Sequence, residues 1–171
     1  MEQDLNIIRN ALIEKVKKIN HSTFNNVANE IFDFQASNNI IFKEYLSNLK
    51  HKTNEGLKFL PISAFKNKKV ITGDWQSENY FESSGTTGSV NSKHYYQDIN
   101  PYLENCIEGF EKVYGKVKDY CVLALLPHYL ERQNSSLIAM VNDFILKSTY
   151  NQSGFFLDEV EQLVEILNYN Q

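Results

Sequence analysis

The chain has 171 residues, a length that suits one domain with a core of its own. Apolar residues make up 42% of the composition and charged residues 22%, as in ordinary globular proteins. The formal net charge of −4 at pH 7 argues against a nucleic-acid-binding protein, which needs a basic face, and no apolar stretch is long enough to predict a membrane span.

The first section, residues 1–56, is predicted to be helical. Apolar residues at three- and four-residue spacings indicate an amphipathic helix over about residues 4–19. A second helix is expected after Ser22 or Thr23, either of which can be its N-cap, and a third, short helix covers residues 40–49.

Residues 57–171 are predicted to mix strands and helices. A short strand is expected at 69–72, and two aromatic strand-like segments at 78–82 and 93–97 enclose a Gly-rich loop, which predicts a β-hairpin. Residues 120–126 are apolar without alternation, the pattern of a strand buried on both faces, and 154–157 form a brief strand.

Helices alternate with these later strands. Asn100 and Pro101 open the first as N-cap and N1 residue, and Gly115 ends it. Ser135 or Ser136 begins the next, and Asp158 caps the last. The inward face of that last helix is predicted to consist of Val160, Leu163, Val164 and Leu167. Strands alternating with helices predict an α/β layered fold.

Two cysteines, Cys106 and Cys121, lie in apolar surroundings without a Cys-x-x-Cys pair or histidine-rich neighbours. They therefore predict no zinc site and indicate a reducing compartment. Because the N-terminus also lacks a signal-peptide core, we expect a cytoplasmic protein.

The loop of the predicted hairpin is the most informative segment. Residues 83–89 comprise five hydroxyl side chains and two glycines. Glycines let backbone N–H groups converge on an anion and hydroxyls add donors, so this composition indicates a phosphate-binding loop. Flexible polar turns have the same composition, and the residues alone leave both interpretations open. The candidate ligand-binding residues are Ser83, Ser84, Gly85, Thr86, Thr87, Gly88 and the nearest cation, Lys93.

The sequence matches neither of two other motifs, the P-loop of NTPases and the nucleophile elbow of hydrolases. The P-loop of NTPases needs Gly-Lys at the fifth and sixth positions after its first glycine and a helix following it, whereas Val90 is the fifth residue after Gly85 and a strand follows. No Gly-x-Ser-x-Gly nucleophile elbow occurs in the chain.

The order Ser-Ser-Gly-Thr-Thr-Gly after an aromatic strand resembles the phosphate-loop signature of the adenylate-forming enzymes (the ANL superfamily of acyl-CoA synthetases, luciferases and peptide-synthetase adenylation domains). That family's loop usually continues into a Pro-Lys pair, but here the proline is missing and Lys93 lies two places later. This departure and residues 125–132, Leu-Leu-Pro-His-Tyr-Leu-Glu-Arg, most resemble the acyl-protein synthetase branch, the LuxE-type acyl transferases. The likeness extends over about residues 32–163.

The resemblance implies a reaction. In this family a carboxylate attacks the α-phosphate of ATP with Mg²⁺, giving an acyl-adenylate that passes its acyl group to a thiol or protein acceptor. The loop would hold the β- and γ-phosphates. His128 resembles in position a residue near the family's acyl-substrate pocket and is the one candidate catalytic residue, with a structural loop histidine as the alternative. The substrate would be a carboxylic acid, and the sequence leaves open whether it is a fatty acid, an amino acid or an aryl acid.

Several family motifs have no counterpart: the acidic motif that holds magnesium, the ribose-binding aspartate and the C-terminal lysine. We therefore expect the N-terminal portion of an adenylation-type domain, which binds nucleotide weakly, catalyses little alone and needs a C-terminal half or a partner chain. One alternative is a non-catalytic nucleotide- or phospho-ligand-binding module working with a separate second half. Another is a structural domain whose loop is only a turn.

Overall fold

The computed structural model describes residues 2–49, 56–76, 79–84, 90–127 and 133–169. These ranges contain seven α-helices and two two-stranded sheets, which confirms the prediction of a mixed α/β protein. Contacts divide the chain into two compact units, Met1–Gln97 and Asp98–Gln171. Across the described residues, no helix has both the length and the apolar character that a bilayer crossing requires.

The first unit begins with three helices near the predicted positions: α1 (Glu2–Lys17), α2 (Phe24–Asn38) and α3 (Ile40–Asn48). A short helix, α4 (Ala64–Asn67), follows.

Asn39 connects α2 to α3 and caps the second of them. It is 5% exposed, and its Oδ1 accepts the backbone N–H of Phe42 at 3.0 Å. The predicted cap before α2 is wrong: Thr23 precedes that helix, but its side chain makes no capping bond. Its Oγ1 accepts the N–H of Asn20 instead, at 3.0 Å.

The predicted strand at 69–72 does not form. The carbonyl of Thr72 accepts hydrogen bonds from the Arg9 guanidinium at 2.9 Å and from the Trp75 indole N–H at 3.0 Å. These two bonds connect the end of the segment to α1 and to Trp75, and in the described part of the chain the segment pairs with no strand.

The predicted β-hairpin is confirmed. Strand β1 (Tyr80–Glu82) pairs antiparallel with β2 (Lys93–Tyr95), and Glu82 lies opposite Lys93. Both strands are shorter than the sequence predicted.

The second unit is built around a βαβ motif. Helix α5 (Asn100–Tyr114) and a 3-10 turn (Val117–Asp119) precede β3 (Leu123–Ala124). Helix α6 (Ser136–Lys147) then leads to β4 (Gly154–Phe155), which pairs parallel with β3, and α7 (Val160–Tyr169) follows. Among the described residues of this unit, the buried apolar side chains are those of Val117, Ala124, Ile138, Ala139, Phe144, Phe156 and Leu163.

The ends of these helices confirm two predictions and correct one. Gly115 ends α5 with a φ of 89°, and Ser135 caps α6 by accepting the N–H of Ile138 at 3.3 Å. Asn100 is not an N-cap; it is the first residue of α5, and its own N–H is accepted by Asp98 Oδ1 at 3.0 Å.

Two apolar segments are less buried than predicted. β3 has only two residues of the expected 120–126 strand, and Leu125 beside it is 58% exposed. Of the expected inward face of α7, Leu163 is buried, whereas the other three predicted residues are about half-exposed. The layered architecture of an adenylation domain stays a prediction.

Candidate phosphate-binding hairpin

The hairpin closes at its base through two serines. The N–H of Ser83 donates to the carbonyl of Ser92 at 3.0 Å, and the N–H of Ser92 donates to Ser83 Oγ at 2.9 Å. Ser92 is only 4% exposed. The chain therefore enters and leaves the Ser/Thr/Gly segment at adjoining points, which reduces the entropy lost when that segment orders around a ligand.

The structure describes some of the predicted site residues and not others. Gly85, Thr86, Thr87 and Gly88 lie outside the described residues, and His128 does too.

Three predicted site residues are placed by the structure. Ser83 is half-buried, and its hydroxyl keeps a proton to donate while its oxygen accepts from Ser92. Ser84 is exposed, and Lys93 is half-buried at the start of β2.

Lys93 lies on the tyrosine side of the hairpin. Its Nζ is 4.3 Å from the centroid of the Tyr80 ring. The hydrogen bond to the Tyr80 side chain raises the pKa of Lys93 above its usual value, and the nearby Glu82 carboxylate adds to this. Lys93 is thus a fixed positive charge at every physiological pH.

A second cation lies on the same side. The Nζ of Lys69 is 5.0 Å from the Tyr95 ring, and the rings of Tyr80 and Tyr95 are 5.5 Å apart across the strands. Two ammonium groups therefore accompany one aromatic pair on this face of the hairpin, where Glu82 lies opposite Lys93.

His94 lies on the opposite face, as the alternation of a strand predicts. Its ring stacks on Phe65 of α4, with centroids 4.6 Å apart and planes at 19°. Its Nε2 is 3.5 Å from Ser92 Oγ, so His94 approaches the hydroxyl side of the hairpin base.

Sequence reasoning missed Ser92 and Phe65. Strand alternation could have placed Ser92 on the side of His94, two residues away. The contact with Phe65 joins residues 29 positions apart, and no local pattern predicts it.

An open groove lies on the other side of α4. It measures about 350 Å³, and its apolar lining includes Ile41 and Tyr45 from α3 and Leu60 and Ala64 from the α4 segment. Because α4 carries both Ala64 and Phe65, the same short helix borders this groove and contacts the hairpin.

Within the five described ranges, no three His, Cys, Asp or Glu side chains cluster closely enough to bind a metal ion. Of the predicted site residues, the structure places the hydroxyls of Ser83 and Ser84 and the ammonium of Lys93, groups that can contact an anion.

Comparison of the chain with models of known families, with curated proteins and with solved structures gives no match. Support for a function therefore comes from the hairpin geometry and from the order of residues in its loop.

Proposed function

We propose that this chain is the N-terminal portion of an ATP-dependent acyl-activating enzyme of the adenylate-forming kind, in the acyl-protein synthetase branch. Its loop, residues 83–89, holds the β- and γ-phosphates of ATP–magnesium. The observation that carries the proposal is the hairpin: the signature sequence begins at a base that Ser83 and Ser92 close by two hydrogen bonds.

The chemistry follows from the family resemblance. A carboxylate is a poor electrophile until its oxygen is joined to a good leaving group. Its oxygen attacks the α-phosphorus of ATP, the bond to the β-phosphate oxygen breaks, and pyrophosphate leaves as the acyl-adenylate forms. The loop contributes by fixing the departing phosphates and by offsetting their developing charge.

The number of hydrogen bonds that the loop can form limits its affinity for ATP. Each hydrogen bond to a charged phosphate oxygen contributes about 1.5–3 kcal/mol. Two or three such bonds, after the cost of ordering the loop, correspond to about micromolar-to-millimolar affinity. Lys93 and Lys69 add attraction at longer range, which salt weakens.

In this proposal the metal enters bound to ATP as part of the substrate, since Mg²⁺ is usually held by one or two carboxylates together with the phosphates. Adenylation then requires the acidic groups that hold magnesium to come from a second half or a partner chain. The closed base of the hairpin fits one other function, a non-catalytic nucleotide-binding module that works beside a separate second half.

Calorimetric titration with ATP–magnesium tests the phosphate loop. We expect the double variant Thr86→Val/Thr87→Val to bind at least about tenfold more weakly, since two hydroxyl donors are lost. Thr149→Val is the matched control, because this exposed hydroxyl belongs to the second unit, where it donates to the carbonyl of Lys118. Tripolyphosphate should compete and adenosine should not. Equal affinities of the double variant and the wild type would refute the loop assignment.

A medium-chain fatty acid distinguishes the two candidate functions. The acyl-activating enzyme should bind ATP–magnesium more tightly when octanoate is present, because the two substrates meet at one site. A binding module should be indifferent to octanoate. Carboxylate-dependent exchange of pyrophosphate into ATP by this chain alone, at ordinary synthetase rates, would contradict the assignment to an incomplete portion of the enzyme.

A further inference from the structure

The segment that contains α4 concentrates positive charge. Residues 57–73 contain four lysines and no aspartate or glutamate, although the whole chain has a formal net charge of −4. Lys66 and Lys68 of this segment are exposed, and Glu44 lines the same groove as Lys68. Among the residues that the structure describes, none with an acidic side chain forms an ion pair with either lysine. Their charge is therefore available to an anionic surface.

Two large apolar side chains of the same segment are almost fully in contact with water. Phe59 is 75% exposed and Ile62 is 77% exposed. Pro61, which lies between them in the sequence, is exposed as well. Because exposed apolar surface of this kind gains free energy by leaving water, its position beside unpaired lysines favours a partner that offers both an apolar layer and negative charge.

Backbone hydrogen bonds fix this part of the segment. The N–H of Ala64 donates to the carbonyl of Pro61 at 2.9 Å, and the N–H of Phe65 donates to the carbonyl of Ile62 at 3.1 Å. The ring of Phe65 stacks on His94 of the hairpin, with centroids 4.6 Å apart. The exposed side chains therefore lie on an ordered turn, which reduces the entropy lost when they bind.

We infer that this surface, which consists of Phe59, Ile62, Lys66 and Lys68, binds a bilayer that contains anionic lipids. The two apolar side chains enter the boundary between head groups and acyl chains, and the two ammonium groups contact the lipid phosphates and carboxylates. A soluble acidic partner would satisfy the lysines, but a bilayer also takes up exposed apolar side chains without a complementary pocket. The surface shares no residue with the proposed phosphate loop and does not depend on the proposed function.

These four side chains set the expected affinity. A lysine near an anionic membrane strengthens binding about fivefold, and an apolar side chain that leaves water does so about tenfold. Two of each correspond to half-maximal binding at about 0.1–1 mM accessible lipid. Binding is therefore reversible, and raising the salt concentration should weaken it because the charges lie at the surface.

Co-sedimentation with lipid vesicles tests the binding. Vesicles of phosphatidylcholine with about 30% phosphatidylserine should bind the chain at least about tenfold more tightly than vesicles of phosphatidylcholine alone. Lys66→Gln/Lys68→Gln should lose at least about tenfold in affinity for the anionic vesicles. Lys15→Gln/Lys18→Gln is the matched control, because it removes the same net charge from two exposed positions elsewhere in the first unit and should leave binding unchanged.

A second pair of variants tests insertion of the apolar side chains. Phe59→Ser should weaken binding by at least about fivefold. Phe24→Ser should not, although Phe24 is also exposed in the same unit, at 56%. Lipids with brominated acyl chains quench a nearby indole, so they should quench Phe59→Trp more strongly than Phe24→Trp, since both variants keep Trp75. Circular dichroism should show all the variants folded.

Several results would overturn the assignment of this surface to a membrane. They are equal binding of the two vesicle types, no binding at about 5 mM lipid, and equal losses within either pair of matched variants. Binding of soluble poly-glutamate as tightly as the anionic vesicles would do so too, because an acidic protein would then be the partner of this surface.

Discussion

Removal of the Ser83 hydroxyl should loosen the base of the hairpin. Ser83 Oγ is the acceptor for the N–H of Ser92, and Ser92 is 4% exposed. Ser83→Ala therefore leaves a largely buried donor without a partner, whereas Ser84→Ala changes an exposed neighbour.

The cost can be estimated from the burial of the two serines. An unsatisfied buried donor costs about 1–3 kcal/mol. Because Ser83 is only half-buried, water can reach the vacated position in part, which places the expected loss at the lower end, about 1–1.5 kcal/mol. That loss corresponds to an unfolding equilibrium constant about 5- to 13-fold larger.

Urea unfolding followed by Trp75 fluorescence measures this loss in the first unit. Ser83→Ala should lower the transition midpoint at an unchanged slope, Ser84→Ala should remain within about 0.5 kcal/mol of the wild type, and Ser83→Thr should restore most of the loss. If Ser83→Ala and Ser84→Ala unfold at the same urea concentration, the hydroxyl of Ser83 does not support the base, and the reasoning from the hairpin geometry fails.

Two further changes test other parts of the fold. Asn39→Ala removes the cap of α3 and should cost about 1–2 kcal/mol by denaturant unfolding, whereas the exposed Asn48→Ala at the end of the same helix should cost less than about 0.5 kcal/mol. In the second unit, the Lys116 ammonium holds the pKa of Glu111 below its usual value. A lowered carboxyl pKa adds stability that is present above the unfolded value and is lost as pH falls through the folded one. Thermal unfolding as a function of pH should therefore show a smaller loss on acidification for Lys116→Gln than for the wild type or the control Lys112→Gln.

The helices could be predicted because the information is local. Apolar spacing located α1, α2 and α3, and Gly115 and Ser135 mark helix ends through contacts within a few residues. Asn39 was missed as a cap because it separates two helices by a single residue and the apolar pattern runs through it.

The segment at 69–72 shows where local reasoning fails. Val70, Ile71 and Thr72 have high strand propensity, but propensity acts only when another strand is available to pair. Arg9, 63 positions away in sequence, donates to the carbonyl of Thr72 and holds this backbone instead.

The site could likewise be predicted only where the information is local. Strand alternation correctly separated Lys93 from His94, because it needs only the pleat of β2. The positions of their partners were not predictable: Phe65 reaches His94 from a different element, and Tyr80 contacts Lys93 across the strands. Glycine and hydroxyl composition indicates what a loop can bind, but the side chains that surround it come from tertiary packing.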